Sequence, residues 1–183
     1  YQVVPSPEGG FVIKYSAGMA LLNAPAFILA HVLAGPLGFA ADGFSLPYQY
    51  AWTITALFIT GAGLWFTRKI LLEFFNETLT CILMVVIVLA TNYFQLTAFD
   101  GYLTHNYTYT FCAIITWFTI RWHRSPGYYS SIMLGLSSGL IVLIRPSELV
   151  CLFIPLLWNV YSWNSLKEKA RLIANNPKFL III

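Results

Sequence analysis

Two short polar stretches carry the residue types that could do chemistry. "LIRPSE" (143–148) places Arg145 and Glu148 between two apolar runs, and "FDGYLTHNYTYTF" (99–111) places Asp100, His105 and Tyr109 between two others. A guanidinium is a planar fork of donors that matches a phosphate bidentately, while imidazole, phenol and carboxylate groups hydrogen-bond sugar hydroxyls. Arg145 therefore either snorkels to lipid headgroups or binds an anion, and at that depth a lipid-linked phosphate is the natural one. Pro146 suits the first position of a new helix, with Glu148 in its first turn at the positive end of the dipole, which accounts for Glu148 without any function. His105 precedes Tyr109 by four residues, so a helix starting near Thr104 puts both on one face with Thr108 and Cys112. That face is either a cluster able to hold a sugar hydroxyl or a phosphate, or an interfacial belt in which Tyr102, Tyr107 and Tyr109 sit at headgroup depth and His105 is wet. Asp100 with Gly101 is also a common turn dipeptide.

The elements that hold these residues follow from composition. Of 183 residues, 58% are hydrophobic and 9% charged, with a mean hydropathy of +0.72, which points to an integral membrane protein. The net charge of +3 is too small and scattered to suggest nucleic acid. Cys81, Cys112 and Cys151 each lie in an apolar stretch without metal-ligand spacing, and read as small buried hydrophobes. No Walker loop, GxGxxG, HExxH or GxSxG is present, so nothing points to energy coupling or soluble-cofactor chemistry.

The expected fold is all-α and polytopic. Crossing the hydrocarbon takes roughly 17 to 25 residues, and the apolar runs at 49–67, 79–98, 107–122, 129–144 and 147–163 supply about five transmembrane helices. Another run, 15–35, holds Asn23, Pro25 and His31 and is placed along the interface rather than across it. Residues 1–14 then end an outer loop, and 164–183 form an inner loop and the start of another helix. Arg68 and Lys69, Arg121 and Arg124, and Lys167, Lys169 and Arg171 follow alternate spans, whereas the connections at 36–48 and 99–106 have no Lys or Arg. By the positive-inside rule the basic turns are cytoplasmic, and 99–106 and Arg145 are outside. "KILLEFFNETLT" (69–80) reads as a short amphipathic turn on the inner surface, and "SLKEKARL" (165–172) as a solvated inner helix end. The ends, "YQVVPSPEGGF" and "NNPKFLIII", read as the edges of a piece of a longer chain.

The order of "KYSAGMALLNAPAF", "GLWFTRK", the His105 and Tyr107 pair, and "GLIVLIRP" resembles the GT-C superfamily of membrane glycosyltransferases, which use polyprenyl-phosphate sugar donors. The likeness is to the aminoarabinose and protein O-mannosyl transferases, in a branch common in Bacteroidetes. It covers nearly the whole chain through soft motifs whose specificity lies in order and spacing. The resemblance implies that 15–35 is the juxtamembrane helix following a large outer loop, and that 49–67 is the second span of the full protein. It also places the catalytic acid upstream of Tyr1, leaving Arg145, and secondarily Lys14, to bind the donor phosphate, with His105, Tyr109 and Asp100 lining the cavity. The chain departs from those families in having "SAG" after Lys14 and Tyr15 where they have a proline pair, so acceptor binding is not carried over there.

The function expected is sugar transfer from the lipid-linked donor to an acceptor at the outer face of a bacterial cytoplasmic membrane. Superfamily members differ in donor sugar, acceptor and use of a divalent metal, so the cofactor is left open between none and such a metal. The partners are the donor lipid and the bilayer. Two other functions remain: a transporter or flippase of lipid-linked glycans, and a non-catalytic membrane subunit of an envelope complex. A transporter calls for charged or broken helices at midplane and for pseudo-repeats. The polar residues here cluster at the outer edge instead.

Overall fold

The computed structural model describes residues 3–7, 9–13, 17–99, 101 and 103–175. Apart from one antiparallel hairpin, β1 (Val3–Pro5) with β2 (Phe11–Ile13), in register Val3 to Ile13, the regular structure is helical, so the fold is all-α. The helices are α1 (Gly18–Ala34), α2 (Leu46–Leu72), α3 (Glu77–Leu89), α4 (Tyr93–Ala98), α5 (Thr104–Arg124) and α6 (Tyr128–Ile144). A 3-10 helix (Pro146–Leu152), α7 (Phe153–Leu157) and α8 (Trp163–Ala174) follow.

At the centre is α5, which packs against α2, α4, α6, α7 and the 3-10 helix. Tyr107, Phe111, Ile115, Phe118 and Trp122 on α5 form the core with Leu134, Ile141 and Ile144 of α6. Polar α5 residues pair with neighbouring helices. Thr60 donates to Asn106 Oδ1 (3.1 Å), Thr110 donates to the Ile59 carbonyl (2.9 Å), and Trp122 Nε1 donates to Ser131 Oγ (3.0 Å). The pairing of α2 residues 56–67 with 106–110, and the Arg124–Glu73 ion pair (2.6 Å), show that α2 and α5 run parallel. They approach closely because Gly63 has no side chain: a Cβ there would lie 2.5 Å from Thr110 Oγ1.

One end of the bundle holds the first turns of α2 and α5 and the last turn of α6, and α1 touches all three. A Cβ on Gly18 would stand 2.5 Å from the Ile144 nitrogen, Tyr107 donates to Asn23 Oδ1 (3.1 Å), and His31 Nδ1 pairs with the Tyr48 hydroxyl (2.6 Å). Since these contacts share one end, α1 lies across that end rather than along the bundle. Asp42 fixes the connection into α2 by accepting from the Phe44 and Ser45 backbone nitrogens (both 2.9 Å), and those bonds hold its carboxyl below the usual range.

The boundaries differ from expectation in three places. Only α2, among the described residues, is long and apolar enough to cross a membrane. It also runs past 67 to Leu72, so "KILL" belongs to it and not to a separate surface turn, and Asn76 then caps α3 by accepting from Leu79 N (2.9 Å). The run 79–98 is two helices rather than one, because the Thr91 hydroxyl bonds back to the Ile87 carbonyl and accepts from Tyr93 N, diverting the chain at 90–92. The run 147–163 is no single helix either: a 3-10 turn and a short α7 end at Trp158, and Asn159 takes a left-handed φ of 62°.

Candidate anion-binding site at Arg145 and His105

Pro146 disfavours helical geometry at the residue before it, so α6 stops at Ile144 and Arg145 is extended (φ −144°, ψ 111°). Its carbonyl accepts from Glu148 N (2.9 Å), starting the 3-10 helix that carries Glu148. The neighbouring α5 begins at Thr104, which brings His105 alongside Arg145 from 40 residues away. Arg145 Nη1 donates to His105 Nδ1 at 3.3 Å and lies 3.7 Å from Glu148 Oε1.

A guanidinium can only donate, so in this contact Nδ1 takes the acceptor role. The site thus sets a guanidinium beside an imidazole ring. The side chains of Arg145 and Glu148 are 36% and 24% exposed, so their ion pair is solvent-screened and contributes ~0–1 kcal/mol.

On α5, His105 also lines a crevice of about 360 Å³. The other walls include Ile87, Tyr93, Leu96, Asn106 and Tyr109. Tyr109 was expected on the face of His105, and it does share this crevice. Its hydroxyl, however, pairs with Thr67 Oγ1 of α2 (2.7 Å) and its ring packs on Tyr93 (centroids 4.7 Å apart), so it does not reach towards Arg145. Tyr107, placed at headgroup depth by the belt alternative, is fully buried against Asn23. Thr108 is buried with its hydroxyl on the His105 carbonyl (3.1 Å). Lys14 and Asp100 lie outside the described residues.

The cysteines do not all fit the reading as buried hydrophobes: Cys81 is exposed, while Cys112 and Cys151 are half-buried against the same core, with Cys151 Sγ 3.9 Å from Glu148 Oε2. Spacing in the chain gave no sign of this, because the 3-10 turn brings Cys151 back against α5. Among the described residues, no three of His, Cys, Asp and Glu converge as a set of metal ligands.

No family model, curated protein or solved structure matches the chain. The site therefore stands on its own geometry. Among the described residues every other Lys or Arg lies towards the far ends of α2 and α5 or sits on α8: Arg68, Lys69, Arg121, Arg124, Lys167, Lys169 and Arg171. Arg145 alone is at the end crossed by α1.

Proposed function

We propose that this chain is part of a polytopic membrane glycosyltransferase that moves a sugar from a polyprenyl-phosphate donor to an acceptor at the outer face of a bacterial cytoplasmic membrane. The observation that carries this reading is the meeting of Arg145 with His105 at the end of the bundle opposite the basic turns. By the positive-inside rule that end is the outer one. Transfer breaks the bond between the anomeric carbon and the phosphate oxygen, and negative charge grows on the departing lipid phosphate. Arg145 stabilises that charge, His105 donates through Nε2–H to the phosphate or a sugar hydroxyl, and the crevice beside His105 receives apolar parts of the donor. The carboxylate that deprotonates the acceptor is supplied from upstream of Tyr1. The helix α1, lying across the same end, fits an interfacial element that roofs the site. The short segments complete membrane passages by packing on their neighbours rather than by length alone, α3 with α4 against α2 and the 3-10 helix with α7 against α5.

The test uses the full-length protein in vesicles with a polyprenyl-phosphate sugar. Removing one donor to a developing oxyanion costs on the order of 100-fold or more in rate. Arg145→Ala should lose that much transfer, with partial recovery in Arg145→Lys, and His105→Ala should lose less. Wild-type transfer by Arg145→Ala sinks the reading. Loss of lipid translocation with transfer intact on donor already outside moves the site to the transporter alternative.

A further inference from the structure

The end of the molecule away from Arg145 carries a helix whose surface the proposed function leaves unused. Lys169 fastens α8: its ammonium is buried (8% exposed) and donates to the carbonyls of Pro155 and Trp158, both at 2.7 Å, where α7 ends. A cation on the last carbonyls of a helix is favourable. Burial pushes this ammonium down to about 8 from its ordinary 10.5. The clasp ties α8 to the end of α7.

Apart from the buried Lys169 and the half-buried Ser165, residues 163–171 of α8 are exposed. Trp163, Leu166, Lys167 and Ala170 fall at i, i+3, i+4 and i+7, one stripe of the helix, and all four are exposed, Trp163 at 71%. Arg171 falls beside Asn164 at the edge between this stripe and the face that carries Glu168. Tyr161, just before the helix, is 87% exposed. An aromatic and aliphatic stripe bordered by basic residues, with the acidic residue turned away, has the pattern of a helix lying in a membrane interface. Long basic side chains can lie along such a surface with their heads at the phosphates. The same end of the bundle carries Arg68, Lys69 and Arg121, besides Arg124 in its ion pair with Glu73, so the basic residues of α8 add to a positive rim.

We infer that α8 docks on the anionic phospholipid surface of the inner leaflet, with Trp163 and Leu166 inserted at headgroup depth and Lys167 and Arg171 paired with lipid phosphates. This rests on the membrane reading above. The sequence alone reads as a solvated helix end here; what the fold adds is the Lys169 clasp, which fastens α8 to the end of α7.

The experiment reconstitutes the full chain in vesicles of phosphatidylcholine with or without phosphatidylglycerol, each containing a brominated phospholipid that quenches tryptophan. The difference in quenching between wild type and Trp163→Phe isolates Trp163. It should be quenched in the phosphatidylglycerol vesicles and markedly less without that lipid. Lys167→Gln and Arg171→Gln should each weaken docking of α8 by about fivefold, since a basic residue near an anionic surface contributes that much. Equal quenching with and without phosphatidylglycerol overturns the role of the anionic lipid. No quenching of Trp163 in either vesicle overturns docking, and means that α8 is wet or covered by protein. A parallel difference measured with Trp65→Phe, on the exposed face of α2, separates the two levels: quenched Trp65 with silent Trp163 fails α8 alone, whereas silence at both fails the membrane reading.

Discussion

Helices α2 and α5 run side by side in the same direction, and their polarity and exposure are inverted. The apolar helix is α2, yet it leaves Ile54, Leu57, Phe58 and Trp65 exposed. The polar one is α5, yet it buries Asn106, Thr108, Thr110 and Thr119 together with its aromatic residues. In water the hydrophobic effect would drive the opposite arrangement. In lipid an unpaired polar group costs most on the outside, and small or polar residues join helices within. Several polar groups on α5 have a use of that kind: Thr60 pairs with Asn106, Ile59 with Thr110, Asn23 with Tyr107 and Thr67 with Tyr109, while Thr108 and Thr119 bond back to carbonyls of α5 itself. The comparison shows why α5 fails a test of length and apolarity while being the helix around which the others pack.

The largest effect on this contrast is expected at Tyr107. It is fully buried in the α5–α6 core and its hydroxyl is bonded to a buried asparagine on α1. Tyr107→Ala leaves a cavity of aromatic size and should cost about 3–5 kcal/mol. Tyr107→Phe removes only the bond to Asn23 and should cost about 1 kcal/mol. Unfolding in mixed micelles measures both. If Tyr107→Ala cost no more than a surface change, α5 would not be the packed centre.

A smaller effect is expected at the contact between the two helices. Gly63 lets α2 approach Thr110 and Tyr109, and a methyl group there meets Thr110 Oγ1 and the Tyr109 ring. Gly63→Ala should cost about 1–3 kcal/mol by overpacking. Gly61→Ala, two residues away in open space, should cost nothing comparable and serves as its control. Equal effects from the two substitutions would mean that α2 and α5 do not touch at Gly63.

Much of the frame was readable in the sequence, and the reasons for the rest are physical. Apolar runs marked where helices lie, Pro146 marked the break that exposes Arg145, and the alternation of basic residues separated its end from the other. The sequence placed His105 and Arg145 on the same side, but their contact depends on α5 and α6 packing side by side, and no local pattern encodes that pairing. Tyr107 and Tyr109 could not be told apart because α5 is packed on more than one side, so neither face is marked as outward by polarity. The break at 90–92 had its signal in Thr91 and Asn92, whose side chains compete for backbone bonds, but the apolar residues around them read as one run. Cys151 reaches the core that Cys112 also borders through a 3-10 turn, a geometry for which apolar spacing carries no mark.

The smallest expected effect tests the other half of the comparison. On the outward face of α2, Leu57 is 65% exposed and Phe58 75%. A side chain whose surroundings are solvent in both the folded and unfolded chain contributes little to the difference between them, whether the solvent is lipid, detergent or water. Leu57→Ala and Phe58→Leu should therefore each change stability by less than about 0.5 kcal/mol. A loss of about 2 kcal/mol or more for Leu57→Ala is what burial of that leucine in a packed core produces. Such a loss would mean that this face of α2 is covered by further protein, and the inversion between α2 and α5 would then reflect a missing neighbour rather than the solvent.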